Sequence, residues 1–156
     1  MKNEIDKLKK TIQDRIKVIF DSHLTAKQIA INAVAGVLIG LLVPMGFQTI
    51  AVIALCPLFK LNFLIVVSAT LITNPFTFIF IYYSAFRIGD FLLASGITWE
   101  NIYSVLIKPE FESIINLSLE SIKVIYTGLI IETIFLAPLT YLVIYQFARY
   151  IKNQKN

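Results

Sequence analysis

Residues 26–59 read AKQIAINAVAGVLIGLLVPMGFQTIAVIALCPLF, and residues 61–86 read LNFLIVVSATLITNPFTFIFIYYSAF. The first stretch is apolar except for Lys27 and Gln28 at its start and Asn32 and Gln48 within, and it is interrupted at Pro44-Met45-Gly46. The second is interrupted at Thr73-Asn74-Pro75. As helices, residues 26–43 would reach about 27 Å and residues 47–59 about 20 Å. The hydrocarbon core of a bilayer is about 30 Å thick. The arms of the second stretch, 61–72 and 76–86, are shorter still. Two apolar segments in succession, each broken before it can cross, predict broken or re-entrant helices.

Composition narrows the class further. Of the 156 residues, 57% are hydrophobic and only 15% charged, against roughly 25% charged in ordinary soluble domains. A water-soluble fold of this length could neither hide that much apolar surface nor coat itself with so few charges. Disorder, collagen and a disulfide scaffold are excluded by the same figures. The expectation is an all-α, small polytopic membrane protein whose first partner is the lipid bilayer.

The net charge of +4 is concentrated at the two ends. Residues 1–28 carry a balance of +3 and residues 149–156, a basic tail, another +3, whereas the stretch between them is −2. Basic flanks stay preferentially in the cytoplasm. Both termini are therefore expected to be cytoplasmic, in a multi-pass protein of the inner membrane. The basic residues need no nucleic-acid partner, because they lie beside apolar segments and no aromatic-interleaved basic platform accompanies them. The first 28 residues show no apolar core ahead of a cleavage site, so insertion would be directed by the internal segments.

Within residues 1–25, Ile5, Leu8, Ile12, Ile16 and Ile19 form one helical stripe. They predict an amphipathic helix on the cytoplasmic surface, or one packed against protein. Residues 88–120 turn more polar, with Asp90, Glu100, Glu110, Glu112 and Glu120, and Trp99 and Tyr103 suit a headgroup level. Lys108-Pro109 divides this part into two expected interfacial helices. Residues 122–148 form the last spanning segment of the membrane domain 26–148, tilted or kinked at Pro138. The expected path dips in and returns at Lys60, crosses outward through 61–87, and crosses back along 122–148.

Asn32, Gly36, Gly40 and Pro44 recur every four residues, and Gly36-x-x-x-Gly40 lets a neighbouring backbone approach. These are expected packing residues, and that face permits a homo-oligomer. The breaks carry more chemistry. Pro44 cannot continue a hydrogen-bond ladder and Gly46 allows a sharp turn. Thr73 or Asn74 would cap a helix starting at Pro75. Irregular backbone at membrane depth must be buried in protein or face a wet cavity. Each break would thus present a helix N-terminus, with its partial positive charge, to a shared interior site. Gln48, Thr49, Thr73, Asn74 and Thr77 are the candidate ligand contacts there. Glu132, the one acid well inside the last segment, is the candidate that tunes it, with Arg87, Gln48 or Asn74 as expected partners. The bland reading is that the same residues only fit helices together.

Catalytic constellations are missing: no phosphate-binding loop, no dinucleotide fingerprint, no paired-histidine zinc motif and no serine triad. One histidine, His23, and one cysteine, Cys56, supply no metal cluster, and no cofactor is expected. An enzyme is not expected.

The pieces Ile29-Ala30, Gly36 with Gly40, Pro44-Met45-Gly46-Phe47-Gln48-Thr49, Asn62, Asn74-Pro75-Phe76-Thr77, Tyr82-Tyr83 and Arg87-Ile88-Gly89 together resemble a bacterial membrane family known as domain of unknown function 2062. One departure is that Gly46 follows Pro44 by two positions rather than three. The resemblance covers about residues 26–148. It implies a small helical inner-membrane protein, sometimes joined in relatives to glycosyltransferase modules, with no established activity. The functional expectation is binding or translocation of an anionic small molecule or lipid headgroup at the two breaks. The alternative is a structural or partner-holding membrane module.

Overall fold

A computed structural model describes residues 24–100, 102–103 and 119–154. The expected amphipathic arm, His23 and the divided stretch around Lys108-Pro109 lie outside the described residues, as do residues 155–156 of the tail. Five helices and no strand are found among the described residues: α1 (Ala26–Leu42), α2 (Gln48–Leu58), α3 (Phe63–Thr70), α4 (Phe78–Leu93) and α5 (Leu119–Asn153).

α1 starts where a reciprocal cap is available. Thr25 Oγ1 accepts from the Gln28 amide at 3.2 Å, and Gln28 Oε1 accepts from the Thr25 amide at 2.7 Å. It ends at Val43, whose extended backbone (φ −96°, ψ 126°) is what a residue before proline adopts. The chain turns through Gly46 at φ +98°, a conformation that a side chain resists. α2 then runs back, and Lys60 at φ 53° turns the chain again.

α1 and α3 lie parallel in a fixed register. Asn62 donates its amide to Asn32 Oδ1, Gly36 faces the Val66 carbonyl, and Gly40 faces that of Thr70. Each pair is 30 residues apart, so the two helices stay in step over about two turns. Asn32, 5% exposed, also donates to the Gln28 carbonyl at 2.6 Å. Asn32→Ala removes both bonds and leaves a buried amide without an acceptor. The expected cost is about 2–3 kcal/mol, read as a thermal midpoint lowered by about 5–10 °C in detergent.

α4 and α5 are antiparallel, with Gly89 against the Val124 carbonyl and Gly128 against that of Ala85. The far end of α5 serves α1: Ala148 packs with Ile29, Ala33 and Ile65. Leu42, at the other end of α1, packs on the cluster of Tyr82, Ala85, Phe86, Val124, Ile125 and Leu129. α5 thus runs against both α1 and α4, so α4 continues in the direction of α3 beyond the break. The α1–α2 hairpin reaches only partway along α5.

Two boundaries differ from the sequence expectation. The change of composition after residue 87 is not an element boundary, because α4 continues to Leu93. Gly89 in that last stretch must stay helical to seat on Val124, and the helix stops only where Ala94 turns left-handed (φ 47°). The last helix is 119–153 rather than 122–148, with Pro138 inside it. Its 35 residues extend about 52 Å, and among the described residues it is the one helix long and apolar enough to cross a membrane. Its most apolar window is only 11% buried, whereas the core helix of a soluble protein would be mostly covered.

Candidate functional site: the joined breaks

Proline at position 44 deprives the Gly40 carbonyl of the amide that a continuous helix would supply four residues on. Gln48, the first residue of the next helix, folds back to meet it. Its Nε2 lies 3.0 Å from the Gly40 carbonyl, 3.3 Å from that of Val43 and 2.9 Å from Thr73 Oγ1. The Thr73 hydroxyl also reaches the Gly40 carbonyl, at 2.9 Å, and that of Thr70, at 3.1 Å. Thr73 is 4% exposed. The first break is therefore tied to the second through Gln48, Thr73 and one orphaned oxygen.

The second break solves the same problem locally. Pro75 leaves the Leu71 carbonyl without its amide, and Asn74 Nδ2 donates to it at 3.1 Å. Asn74 Oδ1 in turn accepts from the amides of Phe76 (2.9 Å) and Thr77 (3.2 Å). Thr77 donates its hydroxyl to the Ile72 carbonyl at 2.6 Å and accepts the Asn74 amide at 3.0 Å. The regular helix α4 begins at Phe78, later than the expected start at Pro75. Asn74 caps the turn 75–77 that leads into it, and the Phe78 amide bonds the Asn74 carbonyl at 2.8 Å.

This arrangement spends the donors of Gln48, Thr73, Asn74 and Thr77 on the protein itself. What still faces outward is the start of α2. Its N-cap, Phe47, makes no side-chain capping bond, and among the described residues no side chain accepts from the first-turn amides. Thr49 in that turn is exposed and its hydroxyl bonds no described residue. Pro44, Met45, Gly46 and Phe47 around it are exposed as well.

A sequence profile for a bacterial family described as "uncharacterized protein conserved in bacteria (DUF2062)" matches residues 9–156. The chain belongs to this family. No curated protein and no solved structure matches it. The family description assigns no activity, so for this DUF2062 chain the chemistry of the side chains has to carry the functional reading.

Glu132 stands apart from the residues it was grouped with. Its partner is Ser84 on α4, which donates to Glu132 Oε1, rather than Arg87, Gln48 or Asn74. The second carboxyl oxygen and the neighbouring Thr133 hydroxyl are buried without a hydrogen-bond partner among the described residues. The pair joins α4 to α5 across a separation of 48 residues. Ser84, an unremarkable serine in an apolar run, was missed by sequence reasoning, and its only signal was being a hydroxyl within such a run. The described residues hold no group of three or more potential metal ligands.

Proposed function

We propose that the chain is a non-enzymatic, multi-pass protein of the bacterial inner membrane. Its joined breaks receive an anionic group, either a lipid headgroup or a small anion, at the start of α2. Two features support the membrane. α5 is long, apolar and barely covered, and large side chains such as Phe76 and Phe80 stand 87% and 75% exposed. Apolar surface of that extent is stable in hydrocarbon and a liability in water. In this reading the α1–α2 hairpin enters and returns on the cytoplasmic side, α3–α4 cross as one interrupted span, and α5 crosses back.

The observation that carries the anion site is the uncapped, exposed first turn of α2 beside the knot of Gln48, Thr73 and the Gly40 carbonyl. Amides aimed outward from a helix start favour negative charge, and at membrane depth they require a partner. Gln48 and Thr73 then act by fixing this turn, Asn74 and Thr77 by fixing the second break to which Thr73 belongs, and Thr49 is the side chain positioned to touch the ligand. In neutral detergent the full chain is expected to bind short-chain phosphatidic acid. Thr49→Val should weaken that binding about fivefold, through loss of one hydrogen bond, with the thermal midpoint unchanged. An unchanged affinity in Thr49→Val sinks the assignment.

The saturation of the Gln48 and Asn74 donors by backbone carbonyls favours a second reading, a structural module for holding partners or a second copy. Absence of any anion binding by the folded chain would select it.

A further inference from the structure

A groove of about 530 Å³ runs along the outer seam between α4 and α5, lined by Arg87, Ile88, Phe91, Leu92, Ile131 and Phe135. Five of these six side chains are apolar, and Phe91 and Phe135 are 86% and 71% exposed. Arg87 supplies the only charge. It is exposed, and among the described residues no hydrogen-bond or ion-pair partner of its guanidinium is found. Asp90, nearly one turn further along α4, accepts from the Ser95 hydroxyl at 2.6 Å, and Glu132 accepts from Ser84.

The depth of this cation is fixed by its neighbours. Trp99 folds back onto α4, with its ring centroid 5.2 Å from that of Tyr83 and 5.6 Å from that of Phe86, and Tyr103 lies 5.8 Å from Trp99. Tyrosine and tryptophan gather where hydrocarbon meets headgroups. Arg87 therefore sits at the level of lipid phosphates, with an apolar channel leading from it along Ile131 and Phe135. A planar guanidinium is suited to a phosphate by its forked donors.

We propose that this groove is a binding site for an anionic phospholipid, whose phosphate meets Arg87 and whose acyl chain lies against Ile131 and Phe135. The site is separate from the breaks but rests on the membrane reading given above.

The test uses the full chain purified in neutral detergent and offered phosphatidylglycerol or phosphatidylcholine with the same acyl chains, with retained lipid read by native mass spectrometry. Phosphatidylglycerol is expected to be retained about tenfold more strongly, because the choline ammonium of phosphatidylcholine neutralises its phosphate and repels Arg87. Arg87→Gln should erase the preference and Arg87→Lys should keep part of it. Ile131→Trp, which fills the channel, should weaken both lipids, and soluble glycerol phosphate should not compete. An Arg87→Gln variant that keeps the preference for phosphatidylglycerol overturns the proposal, as does displacement by soluble glycerol phosphate. A change of oligomeric state in Arg87→Gln with lipid retention unaltered assigns the groove to a second copy and overturns it too. A chain that stays monomeric without detergent removes the membrane reading itself, whereas a detergent-dependent chain indifferent to Arg87 removes only the groove.

Discussion

Gly36→Ala should lower the thermal midpoint of the protein by about 10 °C, the counterpart of roughly 3 kcal/mol for a chain of this size. A Cβ at that position would be driven into the Val66 carbonyl, with the Ala69 side chain 2.6 Å away. The obstacle is backbone, which cannot rotate aside as a flexible side chain does. α1 and α3 would have to separate, and with them the Asn32–Asn62 bond below and the Gly40–Thr70 approach above. Gly46→Ala is the internal control. A Cβ there would meet nothing within 4 Å, and only its φ of +98° would resist the change. Its cost should stay near 1–2 kcal/mol. Equal midpoints for the two variants, measured by unfolding in detergent, would show that close approach of α1 to α3 contributes little.

Gln48→Glu should be more damaging still, although the two side chains have the same shape. The replaced nitrogen donates toward the Gly40 and Val43 carbonyls and Thr73 Oγ1. A carboxylate oxygen in that place would face two carbonyl oxygens at hydrogen-bond distance. Gln48→Leu only deletes the donor, at about 3 kcal/mol. Gln48→Glu adds an unpaired charge among acceptors, and folded protein should be recovered at a small fraction of the natural yield. Monodispersity on size exclusion and the midpoint of the remaining fraction are the readouts. If the glutamate variant matches the leucine variant, donation by Gln48 is not what holds the breaks together.

The helices and their interruptions were legible because proline and glycine leave local marks. Pro44 and Pro75 each end an apolar run too early to cross hydrocarbon, and Gly36-x-x-x-Gly40 announces a face for close packing. The partners were not legible, because they are set by tertiary register. Gln48 answers a carbonyl eight residues back, but Thr73 answers the same one from 33 residues away. Gly89 and Gly128 sit on different helices with no spacing to betray them, yet each admits the other helix's backbone. The change in composition after residue 87 suggested an interfacial stretch, and packing on Val124 kept the helix going instead. Glu132 attracted attention as a lone acid, which was reasonable, but nothing in the order of residues could pair it with Ser84.

The long helix α5 has a temporal implication. It follows every helix it supports, so the ribosome delivers it after α1–α4 have emerged. Until then Ala85 and Gly89 lack the α5 residues Gly128 and Val124 that they meet in the folded chain. The seats on α1 and α4 are completed only when α5 is added, whatever the earlier segments have achieved.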